Sequence, residues 1–272
     1  MKPHSAVLLA VALGGLLATP ATAGPWGRPR GGLYAKTGYA YQNAAELATP
    51  DGTIAPIPTF EKHEATLYVA YGMTDRLTLV VDFIGYRSSS IEDFDSAGGV
   101  GDLRAGLHQR VGRAGPWLVA ARGTVQAPTG DATTGEGILP TGSGVWEGDV
   151  VLSVGRSFGR GRGWVFFEAG PQLRGGGLRD GLVYSSQVGW RIGRVLLMGN
   201  VRGVQPWDST PGDVSAGSAA GLGDGVTYLA LGPSAAVELG RALGLQADFD
   251  TAVHTRNIAR GPTLRVGFYV TR

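Results

Sequence analysis

Few residues in this 272-residue chain are of the kinds that make and break bonds, and their spacing does not gather them. Beyond the first 23 residues three histidines remain: His63, His108 and His254. A general base needs a nucleophile or an orienting carboxylate within hydrogen-bond reach. His108 and His254 fall on the polar side of their segments with no serine in an obvious partner position. His63 alone has acids close in sequence, Glu61 and Glu64. A lone histidine in such a setting reads as a polar wall residue, so no catalytic residue is assigned. Asp51, Glu92, Asp93, Asp95, Asp131 and Glu136 crowd irregular segments and could hold Ca²⁺ or bridge lipopolysaccharide cations. Their spacing matches no calcium loop. They read as solvated acids, and neither a metal site nor a cofactor is expected. Gly221-Leu222-Gly223 lacks the strand-to-helix setting of a nucleotide-binding turn.

What remains is charge on a strict rhythm. Leu103, Ala105 and Leu107 alternate with Asp102, Arg104, His108 and Arg110. Val150, Leu152 and Val154 alternate with Glu147, Asp149 and Ser153, and Val165, Phe167 and Ala169 with Trp164, Glu168 and Gln172. A period of two over about 10 residues is a β-strand signature. On one parity lie the acids Asp82, Asp102, Glu147, Asp149, Glu168, Glu238, Asp248 and Asp250. The same parity carries Lys36, Arg104, Arg110, Arg122, Arg191, Arg202 and Arg265. So many ionisable groups could not occupy a dry core, where each unpaired charge costs several kcal/mol. Their face must be wet, paired, or both. The residues expected to line an enclosed lumen are Asp82, Asp102, Arg104, His108, Arg122, Asp149, Glu168, Arg191, Arg202, Asp248 and Arg265.

The elements that would hold them are strands strung by alternating short and long connections. Tight turns are expected at Thr74-Asp75-Arg76, Gly112-Arg113, Gly159-Arg160-Gly161-Arg162, Gly193-Arg194 and Gly240-Arg241. Looser connections are expected over 43–59, 87–97, 127–143, 174–180, 208–224 and 255–260. This spacing predicts about twelve antiparallel strands, on outer-membrane strand lengths of about 9–11 residues. They begin near Gly31, Glu61, Arg76, Gly99, Pro116, Gly144, Gly163, Gly181, Val195, Gly225, Gly244 and Gly261. The fold class is all-β, a transmembrane up-and-down barrel with both ends on the tight-turn side. Aromatics on the apolar parity fall into two groups, as the two interfaces of a bilayer would require. Tyr71, Trp117, Phe158, Trp190 and Phe268 lie near tight turns; Tyr41, Phe83, Trp146, Tyr184 and Trp207 lie near loops. A β-sandwich core could also cap its strands with aromatics, but would not explain two belts together with alternating connection lengths.

Composition agrees. Residues 1–23 carry Lys2, an apolar run from Ala6 to Ala18 and a small-x-small site at Ala21-Thr22-Ala23, the pattern of a cleaved export leader. The domain expected to follow is a single barrel over 24–272. Only Gly24–Arg30 precede the first strand, so no N-terminal hatch is expected. The chain has no cysteine, which suits an exported barrel that needs no disulfide staple. Its formal charge of +2 falls to +1 without Lys2, and no basic tract points to nucleic acid. Glycine, at 46 residues, far exceeds the usual share of about 7 % and marks turns and crowded walls.

Four segments together carry a resemblance: Tyr71-Gly72-Met73-Thr74-Asp75-Arg76-Leu77, Gly98-Gly99-Val100-Gly101-Asp102-Leu103, Gln126-Ala127-Pro128-Thr129-Gly130-Asp131 and Gly142-Ser143-Gly144. Over roughly residues 64–206 the chain resembles the outer-membrane family of meta-pathway phenol-degradation proteins. The resemblance implies a barrel that passes small, often aromatic, compounds. Its partners would be outer-membrane lipid and lipopolysaccharide, a small-molecule solute and the barrel-assembly machinery. Outer-membrane barrels commonly end on an aromatic residue that this machinery reads, whereas this chain ends Phe268-Tyr269-Val270-Thr271-Arg272. The function expected is passive passage of small solutes across the bacterial outer membrane, without enzymatic activity. The alternatives are a non-conducting barrel acting as adhesin, receptor or structural element, and an envelope enzyme that modifies lipid.

Overall fold

The computed structural model describes residues 24–132, 139–208, 210–211, 214 and 217–272. The expected leader lies outside the described residues, as do parts of the loops that precede Leu139 and follow Asp208.

Twelve long strands close into one antiparallel ring. They are β1 (Leu33–Ala48), β2 (Ile54–Gly72), β3 (Leu77–Ile91), β5 (Leu103–Ala114), β6 (Trp117–Ala127), β7 (Glu147–Phe158), β8 (Gly163–Arg174), β9 (Gly181–Ile192), β10 (Val195–Pro206), β11 (Thr227–Glu238), β12 (Leu243–Arg256) and β14 (Thr263–Thr271). Two short strands ride at the loop end: β4 (Asp95–Gly99) folds back on β3, and β13 (Ile258–Arg260) pairs with the end of β1. Each stave pairs with its sequence neighbours, and β1 closes the ring between β2 and β14. Closure leaves each of the twelve long staves paired on both sides, as a wall surrounded by hydrocarbon requires.

Burial is inverted relative to a soluble protein. On β7 the apolar Val150, Leu152 and Val154 are 58 %, 63 % and 38 % exposed, while Glu147, Asp149 and Ser153 between them are buried. The same exchange runs through β8, with Phe167 exposed and Glu168 buried. A continuous apolar exterior is stable only against lipid, so the wall sits in a bilayer with its ionised parity turned inward.

The tight turns follow from local chemistry. Gly115-Pro116 and Gly193-Arg194 each leave two residues between strands, with φ of 59° at Gly115 and 60° at Gly193. A glycine with positive φ at the first central position gives the hairpin turn that matches the strand twist. The turn expected at Gly112-Arg113 is therefore three residues further on. Gly112 and Arg113 are strand, and the irregularity there is a bulge between Arg110 and Gly112. The connections expected over 43–59, 87–97 and 255–260 are largely strand as well, because β1, β2, β3 and β12 run on and β4 and β13 add short rungs, together forming a collar at the loop end. Mid-strand prolines sit where the ladder is interrupted. Pairing between β7 and β8 skips from Asp149↔Gln172 to Leu152↔Ala169 around Pro171, and pairing between β11 and β12 skips past Pro233.

Two glycines show why the composition is so rich in them. A side-chain carbon on Gly189 would lie 2.0 Å from the inward ring of Trp164, and one on Gly203 would lie 2.3 Å from the ring of Tyr184. Each aromatic lies flat across a cross-strand glycine, filling the wall without adding volume to the barrel.

Candidate solute pathway

The staves place opposite charges at matching heights, and most of them pair. Arg104 meets Asp149 at 3.3 Å, Arg122 meets Glu168 at 3.5 Å, Arg191 meets Glu238 at 2.9 Å and Lys36 meets Asp248 at 3.1 Å. Asp250 takes two guanidiniums, Arg202 at 2.8 Å and Arg265 in a shorter contact. Asp248 also accepts from Gln246 at 2.6 Å. Asp82 is exposed to the lumen, where it lines a chamber. Nine of the eleven residues expected to line the lumen thus lie in a charged belt or against the cavities beside it. Arg191 pairs with Glu238 beside the tight turn that joins β9 and β10. The other exception is Asp102. It is buried at the loop end and spends its oxygens on Gly130 N–H at 3.0 Å, Ser143 N–H at 2.7 Å and the Gln126 amide at 3.1 Å. It anchors a loop.

The belt divides the interior. One chamber, about 410 Å³, lies toward the loops; its wall includes Arg104, Arg122, Asp149, Glu168, Arg202 and Tyr228. The other, about 440 Å³, lies toward the tight turns; its wall includes Tyr34, Lys36, Tyr68, Asp82, His108 and Arg122. Arg122 and Arg202 border both and form the waist.

Each chamber is closed differently. At the loop end, Leu139 and Ala220 pack with Phe60, Ala44 and Ala259 into an apolar cap. Cations hold its backbone down. Arg87 donates to Thr141 O at 2.9 Å and pairs with Glu64 at 2.8 Å. Arg174 donates to Gly223 O at 3.1 Å and Leu222 O at 3.2 Å while pairing with Glu147 at 3.0 Å. At the tight-turn end the inward wall is aromatic and aliphatic, with Tyr34, Trp164, Phe166, Leu196, Met198 and Tyr269 buried together. Residues 24–32 fold onto this floor, contrary to the expectation that so short a segment forms no hatch. Trp26 meets Phe166 edge-on at 6.2 Å, Arg28 lies 4.8 Å over the Tyr34 ring, and the Arg28 N–H donates to Thr78 at 2.8 Å. A side-chain carbon on Gly27 would sit 3.1 Å from His108. The buried His108 therefore belongs to the seat of this segment.

The other histidines face away from the lumen. His63 is on the outer wall of β2, its ring tilted against that of Tyr41 at 5.0 Å, with the Tyr39 hydroxyl on its Nδ1. Tyr41 donates to Glu61 at 2.6 Å, while Glu64 points the other way, to Arg87. A bulge in β12 sets His254 opposite Leu229 on the exposed side, which corrects its expected inward parity. Of the aromatics expected near tight turns, Tyr71, Trp190 and Phe268 are exposed, Trp117 is half-buried, and Phe158 packs 5.6 Å from Trp190. Near the loops, Trp146 and Trp207 are fully outward, whereas Tyr41, Phe83 and Tyr184 are half-buried. Arg87 and Arg174 escaped the sequence reading because they fall in segments whose composition reads as loop, over 87–97 and 174–180, although both are strand. Lys62 and Glu64 lie within β2, on a run without clean alternation that marks no inward face. The inward aromatics escaped because charge alone was used to mark the lumen parity.

No family model matches the chain, and no curated protein matches it either. Among solved structures it is similar to the COG4313 outer membrane channel from Pseudomonas putida F1, at 17 % identity and a TM-score of 0.67, covering 92 % of this chain and 99 % of that one. It is also similar to the KdgM porin in complex with disordered oligogalacturonate, at 6 % identity and 0.51, covering 86 % and 98 %. The translocator domain of autotransporter NalP from Neisseria meningitidis aligns at 14 % identity and 0.50, covering 88 % of each chain. At these identities the likeness is one of fold, and the chain has the fold of outer-membrane β-barrels.

Proposed function

We propose that the protein is a bacterial outer-membrane channel for passive passage of small solutes, aromatic compounds among them. The observation that carries this reading is the charged, chambered lumen inside a closed ring whose outside is apolar. A structural barrel gains nothing from that arrangement, since apolar filling is at least as stable as buried ion pairs. Similarity to a channel and a porin supports it, and the resemblance to the phenol-degradation barrels supports an aromatic cargo. On this reading residues 1–23 are removed on export, the two aromatic groups meet lipid and lipopolysaccharide at the two interfaces, and the barrel-assembly machinery inserts the chain. Purified protein in planar bilayers should give discrete conductance steps, and charge reversal at Arg104 or Arg122 should shift ion selectivity. The closed ends favour a second reading, a barrel that conducts nothing. Silent bilayers together with no liposome uptake of a neutral solute would establish it.

A further inference from the structure

The two rims of the barrel carry opposite charge. At the tight-turn rim, Arg76, Arg160, Arg162, Arg194 and Arg241 lie in four of the five short connections, and all are exposed. Arg113 is exposed just before the fifth, Gly115-Pro116, and Arg30 and Arg272 are exposed where the chain enters and leaves the ring. Outside the lumen, the described residues expose one acidic side chain at this rim, Asp75. The loop end exposes Glu46, Asp51, Glu92, Asp93, Asp131 and Asp208, and its Arg179 and Arg260 already pair with Asp224 and Glu46. The formal charge of the whole chain is only +2, so this segregation is no by-product of a basic composition.

A ninth guanidinium shows what the rim faces. On β7 the lipid-facing parity runs Val150, Leu152, Val154, and Arg156 is its next member, exposed like the others. It stands opposite Val165 on β8, whose outward row continues to the exposed Phe167. Val154 pairs with Val119 on β6, and Trp117 ends that outward row. Arg156 is thus set on the outer wall among apolar side chains, level with the aromatics near the tight turns. None of the nine forms an ion pair among the described residues. An unpaired cation is expensive in hydrocarbon and becomes cheap only where the lipid headgroups begin. There a guanidinium presents forked N–H donors that fit phosphate oxygens.

From this we infer that the tight-turn rim is a binding surface for the phosphate headgroups of anionic glycerophospholipids. Outer-membrane barrels turn their short connections to the periplasm, so the lipid is that of the periplasmic leaflet. Two features select lipid over a soluble acidic partner. The cations are spread round the whole ring, because each short connection joins a different pair of neighbouring staves, whereas a docked protein covers one side. Arg156 also points away from the wall, where bilayer rather than water lies. The exposed acids of the loop end repel the same headgroups, so the preference belongs to one rim. The inference rests on the bilayer setting of the wall and is independent of conduction.

The test is quenching of tryptophan fluorescence in symmetric vesicles of phosphatidylcholine and phosphatidylglycerol, with bromine on the acyl chains of one lipid or the other. Trp146→Phe with Trp207→Phe leaves Trp117 and Trp190 as the reporters at the wall, both at the tight-turn end. Trp190 packs under the turn that carries Arg160 and Arg162, since a side-chain carbon on Gly159 would lie 2.6 Å from its ring. Trp117→Phe with Trp190→Phe leaves the loop-end pair as the control. At the tight-turn pair brominated phosphatidylglycerol should associate about fivefold more strongly than brominated phosphatidylcholine, the preference that one cation confers near an anionic surface. The loop-end pair should show no such preference. Arg156→Gln, Arg160→Gln, Arg162→Gln and Arg194→Gln together should abolish it in a barrel that is still heat-modifiable, and high salt should weaken it in the parent. Equal association of the two lipids at the tight-turn pair overturns the inference and leaves the charge to a soluble acidic partner; that comparison needs no arginine variant. The same preference at both ends overturns it too, because the effect would then belong to the vesicle. Loss of the preference on adding inorganic phosphate at constant ionic strength would assign the rim to the free anion instead.

Discussion

The two ends of the lumen are closed by opposite chemistry. At the tight-turn end, residues 24–32 lie on aromatic rings, tied by few directional bonds: Arg28 N–H to Thr78 at 2.8 Å, Arg30 N–H to Asp75 at 3.3 Å, and backbone pairing of Gly31 and Gly32 with Gly72. At the loop end, the backbone around Thr141, Ser143, Leu222 and Gly223 is held by Arg87, Asp102 and Arg174, all buried or nearly so. Apolar contact is non-directional and is worth about 1.5–3 kcal/mol for a large side chain. Breaking a buried ion pair by removing one partner costs about 3–5 kcal/mol. The loop end is therefore the fixed lid, and the tight-turn end is the one that opens at lower cost.

The largest test of that contrast is Arg87→Ala. It leaves Glu64 with Lys62 alone, at 3.7 Å, and frees Thr141 O. The expected loss is about 3–5 kcal/mol, read as a lower midpoint of heat-modifiability together with faster proteolysis of the loop that contains Leu139. Next is deletion of residues 24–30 with the leader kept. It removes apolar contact and few bonds, so the barrel should lose only about 1.5–3 kcal/mol while single-channel conductance rises severalfold. If the two changes cost the same, or if conductance rises only with Arg87→Ala, the assignment of fixed and opening ends is reversed.

Gly189→Ala sharpens the floor itself. The added methyl would sit 2.0 Å from Trp164, so the ring must swing off its neighbours Phe166 and Leu196. Overpacking of this kind costs about 1–3 kcal/mol. Because the displaced ring belongs to the seat of residues 24–32, the variant should also conduct more than the parent. A stability loss with unchanged conductance would show that the floor and the segment above it are independent.

How much of this the sequence carried depends on the period-two rhythm. Wherever apolar and charged residues alternate cleanly, as from Val150 to Val154, the stave and its inward face are legible in the sequence, though not which charges pair. Alternation fails at bulges, because one extra residue flips everything after it. That is why Gly112-Arg113 reads as a turn and His254 as inward. It also says nothing about residues that meet from distant parts of the chain. Asp102 shares its strand's polar parity, but its partners Gly130 and Ser143 lie 28 and 41 residues further on, so its role as a loop anchor had no local signal. Gly24–Arg30, rich in glycine and proline, has no period at all. Its place is set by the aromatic rings opposite, which a reading keyed to charge passes over. Arg87 and Arg174 fall in segments where a turn and an extended collar look alike in composition.

The smallest effect separates burial from mere pairing. Arg260 and Glu46 form an ion pair at 3.3 Å at the same end as Arg87 and Glu64, but their side chains are 37 % and 50 % exposed, against 7 % and 14 %. An exposed pair is worth about 0–1 kcal/mol, since water already solvates both charges and salt screens what is left. Glu46→Gln should therefore shift the heat-modifiability midpoint barely at all, and the shift should vanish at high ionic strength. Arg87→Ala should keep its full effect there, because little salt reaches the lid. If both variants responded alike to salt, the lid would be wet, and charge alone rather than its removal from water would hold the loops in place.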